Sequence, residues 1–177
     1  MIQALQLILA LSLLVLIHEL GHFMFARLFH VRVEKFYMFF NPRISLIRAK
    51  KINGKWQVRF FAPNVEPSMV EVKDPLTGEA KTDEKGRPIY RPMTEEELAA
   101  LPEEDWRRYP DNTEWGLGWL PFGGYCSIAG MVDETKASTD LPSEPQSWEF
   151  RSKPAWQRLL IIIGGILMNF VGAIVIF

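Results

Sequence analysis

The residues with the clearest chemical potential are two histidines and a glutamate near the N-terminus. His18 and His22 are four residues apart, so on a helix their imidazoles share one face and can bind one metal ion. Glu19 lies beside them, where a carboxylate can take a proton from a water molecule that the metal activates. Imidazole ligands with a neighbouring acid favour zinc in a hydrolytic role. We therefore predict a Zn2+ site with His18 and His22 as ligands and Glu19 as the catalytic base.

The apolar surroundings favour this interpretation over a structural one. Residues 1–17 carry no charged side chain, and residues 23–26 are apolar again. Burying two imidazoles and a carboxylate there without a metal or a cationic partner costs on the order of several kcal/mol. The alternative, a chance pentapeptide with structural histidines, leaves that cost uncompensated. Ionisable groups at membrane depth usually mark a functional site, so the segment points to a hydrolase that works inside the membrane.

Two long apolar segments frame a polar middle. Residues 1–29 are long enough to span a bilayer of about 30 Å, and they lack the N-terminal basic residues of a cleavable signal peptide. Residues 159–177 carry no charge and would cover about 28 Å as a helix. Buried helices of a large soluble protein are the alternative, but the arrangement favours an α-helical polytopic membrane protein with two transmembrane helices. Since no polar anchor follows the second run, we expect an N-terminal portion of a longer protein, or a need for partner helices.

Charge is distributed asymmetrically, although the formal net charge is −1. Residues 27–59 contain nine Lys/Arg and one acidic residue, whereas residues 65–114 contain fourteen Asp/Glu and seven Lys/Arg. The basic block directly follows the first span, so the positive-inside rule predicts an outside N-terminus and a cytoplasmic central loop. Beside a span, this block should face anionic lipid headgroups rather than nucleic acid. The single Cys126 excludes an intrachain disulfide.

The region 30–64 predicts a cytoplasmic β-hairpin. Asn53-Gly54 is the signal of a two-residue hairpin turn, and apolar residues alternate with polar ones after it, at Trp56, Val58 and Phe60. One face of the hairpin should therefore be apolar and lie against the membrane surface or the helices.

The region 65–114 is acidic and rich in turn residues, and it is interpreted as a solvated excursion. Residues 67–92 carry a weak signal for a second hairpin. Thr94 and Glu97 have the spacing of a capping box and predict a short helix to about Leu101. A second short helix is predicted to begin at Pro102.

Residues 115–130 are rich in glycine and aromatic residues, which suits a membrane interface. Consecutive glycines such as Gly123 and Gly124 let a backbone approach another chain closely. An exposed strand edge there would be able to pair with an extended peptide. A tight re-entrant turn is the equal alternative.

Three motifs follow one another along the chain: residues 18–22 (HELGH), residues 121–125 (PFGGY), and residues 150–158 (FRSKPAWQR) leading into a span with Asn169. In this order they resemble the site-2 protease family of intramembrane zinc metalloproteases. The closest resemblance is to the bacterial regulator-of-sigma-E protease branch, which cleaves anti-sigma factors. The acidic segment 65–114 has no counterpart in this resemblance and is expected to be a lineage-specific insertion.

The resemblance implies the same zinc ligands and catalytic base as the spacing does, and it adds substrate-binding residues. Gly123, Gly124 and Tyr125 would belong to a membrane-associated loop that holds an unwound substrate helix as a strand. Asn169 would help to open the substrate helix.

The chain departs from the family pattern in two places. Gly165-Ile166 stands where the family usually has Gly-Pro, so the residue that would kink the helix is absent. The family's third zinc ligand, an Asp in a later Leu-Asp-Gly motif, has no match, because no acidic residue follows Glu149. The PDZ-type domains that precede that motif are also missing. Two histidines leave a catalytic zinc site incomplete, so we expect residues 1–177 alone to be inactive.

These observations predict a zinc-dependent intramembrane endopeptidase in the bacterial inner membrane. Its expected partners are a membrane-anchored protein substrate such as an anti-sigma factor, the lipid bilayer, and the missing C-terminal spans or a partner chain, with no role for nucleic acid. The alternative is a catalytically incomplete homologue that acts as a scaffold or sensor. A zinc protease that cleaves at the membrane surface fits less well, because of the Gly-Gly-Tyr loop and Lys153-Pro154. The expected segments are 1–29 (first transmembrane helix with the zinc motif), 30–64 (hairpin region), 65–114 (acidic insertion), 115–153 (Gly/aromatic membrane-associated loop) and 154–177 (second transmembrane helix, apparently truncated).

Overall fold

The computed structural model describes residues 2–64, 69–72, 82, 90–131 and 145–176. The helices within these residues are α1 (Ile2–Leu28), α2 (Glu95–Ala100) and α3 (Ala155–Ile176). The strands are β1 (Val33–Met38), β2 (Ile44–Ile52), β3 (Lys55–Pro63), β4 (Met69–Glu71), β5 (Tyr90–Pro92), β6 (Glu114–Leu117) and β7 (Tyr125–Ile128). Single turns of 3-10 helix lie at Trp106–Arg108 and Phe150–Ser152.

Helices α1 and α3 cross at glycines. A Cβ at Gly21 would overlap the carbonyl oxygen of Gly164, and a Cβ at Gly164 would lie 2.7 Å from the ring of Phe25. Because neither glycine has a side chain, the two backbones meet directly, as small residues allow between membrane helices. The crossing brings the middle of α1, which carries the histidines, against α3.

Both long helices are long and apolar enough to be candidate membrane spans, over Gln6–Leu28 and Ala155–Val175. Much of their apolar surface is not covered by protein: Leu9 is 63% exposed and Phe170 is 65% exposed. By length and composition, the helices therefore agree with the two predicted spans in number and place.

A five-stranded mixed sheet packs beside α1, with the strand order β3-β2-β6-β1-β7. Strand β1 runs parallel to β6, and the other neighbouring pairs are antiparallel. The turn Asn53-Gly54 joins β2 to β3 and places Ile52 opposite Lys55, which confirms the predicted hairpin. Both turn residues have a positive φ, 47° and 78°, as the common two-residue hairpin turn requires.

The sheet is larger than the hairpin that the sequence predicts. Strand β6 lies at its centre, and the expected boundary between residues 114 and 115 falls inside this strand. The sequence of β6, Glu-Trp-Gly-Leu, is only four residues long and contains a glycine, so its own strand signal is weak. Its Gly116 leaves the space that the ring of Tyr37 fills, because a Cβ there would overlap the ring. The strand is therefore defined by its neighbours rather than by its own pattern.

The elements of the acidic region match the predictions in part. Helix α2 has the predicted capping box, in which Thr94 and Glu97 each bond to the other's backbone N–H. The second helix does not begin at Pro102. The Asp105 side chain accepts a hydrogen bond from the Arg107 N–H and caps a single 3-10 turn instead, because a capping carboxylate sets the start of the helix. Strands β4 and β5 pair as in a hairpin, while the residues that connect them lie mostly outside the described part of the chain.

The sheet has one apolar face, which begins under α1. Phe23 of α1 packs on Phe36 and Trp115, with ring centroids 5.6 and 5.0 Å away. The strand register carries this face across β2 to β3, where Trp56 and Phe60 are 60% and 64% exposed. The apolar layer therefore extends beyond the edge of the helix.

The opposite face of the sheet is polar and is covered by Trp106, which is 2% exposed. The Nε1–H of Trp106 donates to Gln57 at 3.1 Å, and the guanidinium groups of Arg48 and Arg59 each lie 4.8 Å from its ring centroid. Burial on this face lowers the pKa of Lys50 to about 8. The sheet is thus amphipathic.

The glycine crossing gives a direct test of helix packing. Gly21→Ala should destabilise the protein by about 1–3 kcal/mol, because the added methyl group meets backbone atoms that cannot rotate away. The matched control is Gly172→Ala on α3, where the nearest atoms lie 3.7 Å from the added Cβ; it should change stability by less than about 0.5 kcal/mol. Unfolding in detergent measures both variants. Equal stability of the two would contradict this account of the crossing.

Candidate functional site

His22 lies one turn after His18 on α1 and is oriented by the backbone of α3. Its Nδ1 lies 2.8 Å from the carbonyl oxygen of Ile161. Because a carbonyl only accepts, Nδ1 carries a proton, and in the neutral ring the lone pair is then on Nε2. Proteins commonly orient metal-binding histidines in this way, with one ring nitrogen bonded to a carbonyl and the other available to the metal.

His18 occupies a space on α3 that a glycine leaves open. A Cβ at Gly165 would lie 2.6 Å from His18 Nε2, so any side chain there would displace the imidazole. The Nδ1 of the same ring lies 3.2 Å from the amide nitrogen of Asn169, one turn further along α3. Both predicted zinc ligands therefore face α3, and Asn169 contacts one of them.

The two imidazoles fit a shared metal ion. Their ring centroids are 4.9 Å apart. Two imidazoles that bind one zinc ion tetrahedrally, with Zn–N distances of about 2.0–2.1 Å, have centroids about 5 Å apart. The spacing of the two rings therefore allows both imidazoles to reach one zinc ion, the metal that the resemblance of the motifs implies.

His18 and His22 would be two protein ligands of a zinc ion, whereas catalytic zinc sites usually have three. No cluster of three or more His, Cys, Asp or Glu side chains that would hold a metal occurs among them. Glu19 is partly exposed at the position next to His18. Glu19 thus adjoins the histidine pair in the chain and is accessible from outside the protein.

The Gly-rich loop, residues 118–124 between β6 and β7, reaches α1 close to the histidines. A Cβ at Gly124 would lie 2.6 Å from the carbonyl oxygen of Tyr37 and 3.3 Å from the Val15 side chain, one turn before His18. Gly123 has a φ of 144°, which other residues rarely adopt. A cleft of about 220 Å³ lies between this loop and the preceding turns of α1. The structure thus brings the loop near the histidines.

The Tyr125 side chain lies within the sheet. Its ring stacks on Tyr37 with centroids 5.3 Å apart, and its hydroxyl donates to Asn41 Oδ1 at 2.9 Å. The Tyr37 hydroxyl donates to Glu114 at 2.5 Å. Burial, reinforced by the Glu114 carboxylate, raises the pKa of Tyr37, so this phenol stays a neutral donor. The side chain of Tyr125 therefore supports the loop, and its strand, β7, ends the sheet on that side.

Sequence reasoning did not identify two parts of this site. The Ile161 carbonyl that orients His22 belongs to the backbone, so no residue type marks it. In the sequence, Gly165 stands out only because Ile166 follows it in place of the usual proline. In the structure, its role is the contact with His18. A search for small residues at helical spacing on the second span would have found it.

Comparison with known proteins gives partial matches to much longer chains. An inferred zinc metalloprotease of Thermotoga maritima is 24% identical over 170 residues, and one of Vibrio cholerae is 26% identical over 169 residues. These alignments cover 96% and 94% of this chain but only 21% and 23% of the relatives. Zinc metalloprotease Rip1 of Mycolicibacterium smegmatis is 34% identical over 67 residues, which cover 37% of this chain and 15% of Rip1.

The profile of one peptidase family covers most of the sequence. It matches residues 6–86 and 100–177, which include the histidine motif, the Gly-rich loop and the second long helix. The chain therefore belongs to peptidase family M50.

Proposed function

We propose that this chain is the part of a zinc-dependent intramembrane endopeptidase that supplies two zinc ligands and the catalytic base. The observation that carries the proposal is the arrangement of His18 and His22. Their rings lie 4.9 Å apart, and the Nδ1 atom of each is contacted by a polar group of α3. The family and its relatives, which are inferred zinc metalloproteases, support the same chemistry.

The residues of the site divide the chemistry between them. His18 and His22 would hold the zinc ion, whose contribution when bound is Lewis-acid polarisation of water and of a peptide carbonyl. Glu19 would accept a proton from the attacking water and return it to the leaving nitrogen. Because all three lie on a helix with an apolar outer surface, water would reach them only through a cavity between the spans.

The position of the Gly-rich loop supports a substrate site at membrane depth. Val15, which the loop touches, precedes Arg27 at the basic end of the span by twelve residues, or about 18 Å along a helix. Phe122 and Trp119 in the loop are 81% and 45% exposed, as expected for side chains that face lipid. A substrate segment unwound in the cleft would have the edge of β7 beside it for strand pairing. We therefore assign Gly123 and Gly124 to substrate binding, with membrane-anchored proteins such as anti-sigma factors as the substrate class.

The apolar face of the sheet supports the same membrane placement. Trp56 and Phe60 continue the layer that α1 covers, and their exposure would be costly in water. In the proposed arrangement they lie in the bilayer or at its surface on the cytoplasmic side. The polar face around Trp106 then turns away from lipid.

A scaffold or sensor role is the second candidate. It is favoured by the two-ligand donor set of the described residues, which is insufficient for a catalytic zinc site. The two candidates differ in whether residues outside 1–177 complete the site.

The metal assignment is tested by two substitutions in the full-length native protein. Wild type should hold about one zinc per chain, and His22→Ala should lose it, because the ligand set falls from three protein ligands to two. Glu19→Gln should keep the zinc and lower cleavage by at least about 10²-fold, since only the base is lost. Elemental analysis and cleavage of a membrane-anchored reporter measure these effects. Equal zinc content in wild type and His22→Ala would refute the assignment.

Completeness of the site is tested with residues 1–177 alone. This fragment should bind zinc weakly and cleave nothing, because only two ligands are present. Adding the remaining spans, in one chain or as a second chain, should restore both properties. Glu19-dependent cleavage by the fragment alone would show that the third ligand lies within it. Failure of every added span to restore activity would favour the scaffold role.

The proposed topology has the N-terminus outside and the central loop in the cytoplasm of a bacterial cell. Reporter fusions after Gly54 and after Asp111 should both give a cytoplasmic signal, because nine basic residues follow the first span. A fusion before the first span provides the opposite control. A periplasmic signal at either internal position would overturn the topology.

A further inference from the structure

Asn169 is a partly buried polar residue of α3 that faces α1. Its Nδ2 lies 3.2 Å from His18 Nδ1, and its Oδ1 is buried with no hydrogen-bond partner among the described residues. An unpaired buried acceptor costs about 1–3 kcal/mol. Packing alone does not explain a polar side chain at this position, since an apolar one would avoid that cost.

The tautomer of His18 decides what this amide must do. A neutral imidazole has one N–H and one lone pair, so His18 can bind a metal through Nε2 only if Nδ1 carries the proton. The Nδ1–H then needs an acceptor, and the amide nitrogen of Asn169 is not one. A rotation of 180° about the terminal torsion exchanges the amide oxygen and nitrogen without changing the shape of the side chain. After it, Oδ1 takes the place opposite Nδ1.

We propose that Asn169 is a positioning residue for zinc binding: its Oδ1 accepts the Nδ1–H of His18 and holds the tautomer that leaves Nε2 free for the metal. The Ile161 carbonyl does the same for His22, at 2.8 Å. This inference rests on the proposed zinc site, and it gives Asn169 a role at the metal, whereas the resemblance implies a role in opening the substrate helix.

Gly165 lies against the His18 ring and fixes where the ring sits relative to Asn169. A Cβ at Gly165 would lie 2.6 Å from His18 Nε2, so the imidazole lies directly on the α3 backbone one turn before Asn169. Within the described residues, Asn169 is the side chain whose polar group contacts this ring nitrogen. The ring is thus held by the helix surface on one side and by the amide at its Nδ1 edge.

The test measures zinc affinity of the full-length protein in detergent, by competition with a chromophoric chelator. Asn169→Leu removes the acceptor and should weaken zinc binding 10- to 100-fold. Asn169→Asp keeps an acceptor of the same shape and should bind zinc at least as tightly as wild type. The matched control is Phe170→Leu, the next residue on the exposed side of α3, which should leave zinc affinity unchanged.

A second measurement reports on how His18 coordinates the metal. In the cobalt-substituted protein, Asn169→Leu should change the visible absorption spectrum of the metal. Asn169→Asp should give a spectrum of the same shape as wild type. A merely structural role of Asn169 would not give rescue by aspartate. His22→Ala serves as the reference for loss of the metal site.

The outcomes separate this inference from the proposed function. Equal zinc binding in wild type and His22→Ala would refute the zinc site and the inference together. Loss in His22→Ala with wild-type affinity in Asn169→Leu would refute the inference alone. If Asn169→Leu then changed only the KM for substrate, Asn169 would be a substrate contact instead.

Discussion

The close crossing of α1 and α3 at Gly21 and Gly164 is the contact on which the candidate site depends. A side chain at either position would push the helices apart. The His22 imidazole would then lose the Ile161 carbonyl, and His18 would lose its contact with α3. A hydrogen bond of 2.8 Å tolerates little separation before it weakens. The chemistry of the histidines is therefore coupled to a packing contact that involves no chemistry itself.

The sheet has a different structural role, which is to hold a backbone loop beside α1, a candidate membrane span. Backbone groups in hydrocarbon need partners, and a paired strand supplies them. The stacked pair Tyr37 and Tyr125 and the bond from Tyr37 to Glu114 fix the end of β7 from within the sheet. The loop before β7 can then approach α1 without a side chain at Gly124. An amphipathic sheet thus presents the backbone of the loop to α1, with its apolar face on the helix side.

The parts of the fold that the sequence predicts are those set by local patterns. Length and hydropathy predict both long helices, the Asn53-Gly54 turn predicts the hairpin, and Thr94 with Glu97 predicts α2. Strand β6 was not predicted, because it is defined by pairing with strands distant along the chain. In the site, helical spacing predicts the histidine pair. The bond of His22 to the Ile161 carbonyl and the packing of His18 on Gly165 depend instead on how the two helices cross. A single sequence contains no direct record of that crossing.

The two histidines are oriented by groups of different kinds, so they differ in how sensitive their orientation is to a substitution in α3. The support of His22 is a backbone carbonyl, so substitution of Ile161 leaves it in place as long as the helix persists. The support of His18 is a side chain, so a single substitution at Asn169 removes it. A zinc ion held by this pair needs a further ligand from another segment, and metal binding would then also join that segment to α1 and α3. The free energy of metal binding also stabilises the assembly of the segments that carry the ligands. Weaker binding of the metal by His18 would therefore also weaken the attachment of the segment that carries the further ligand.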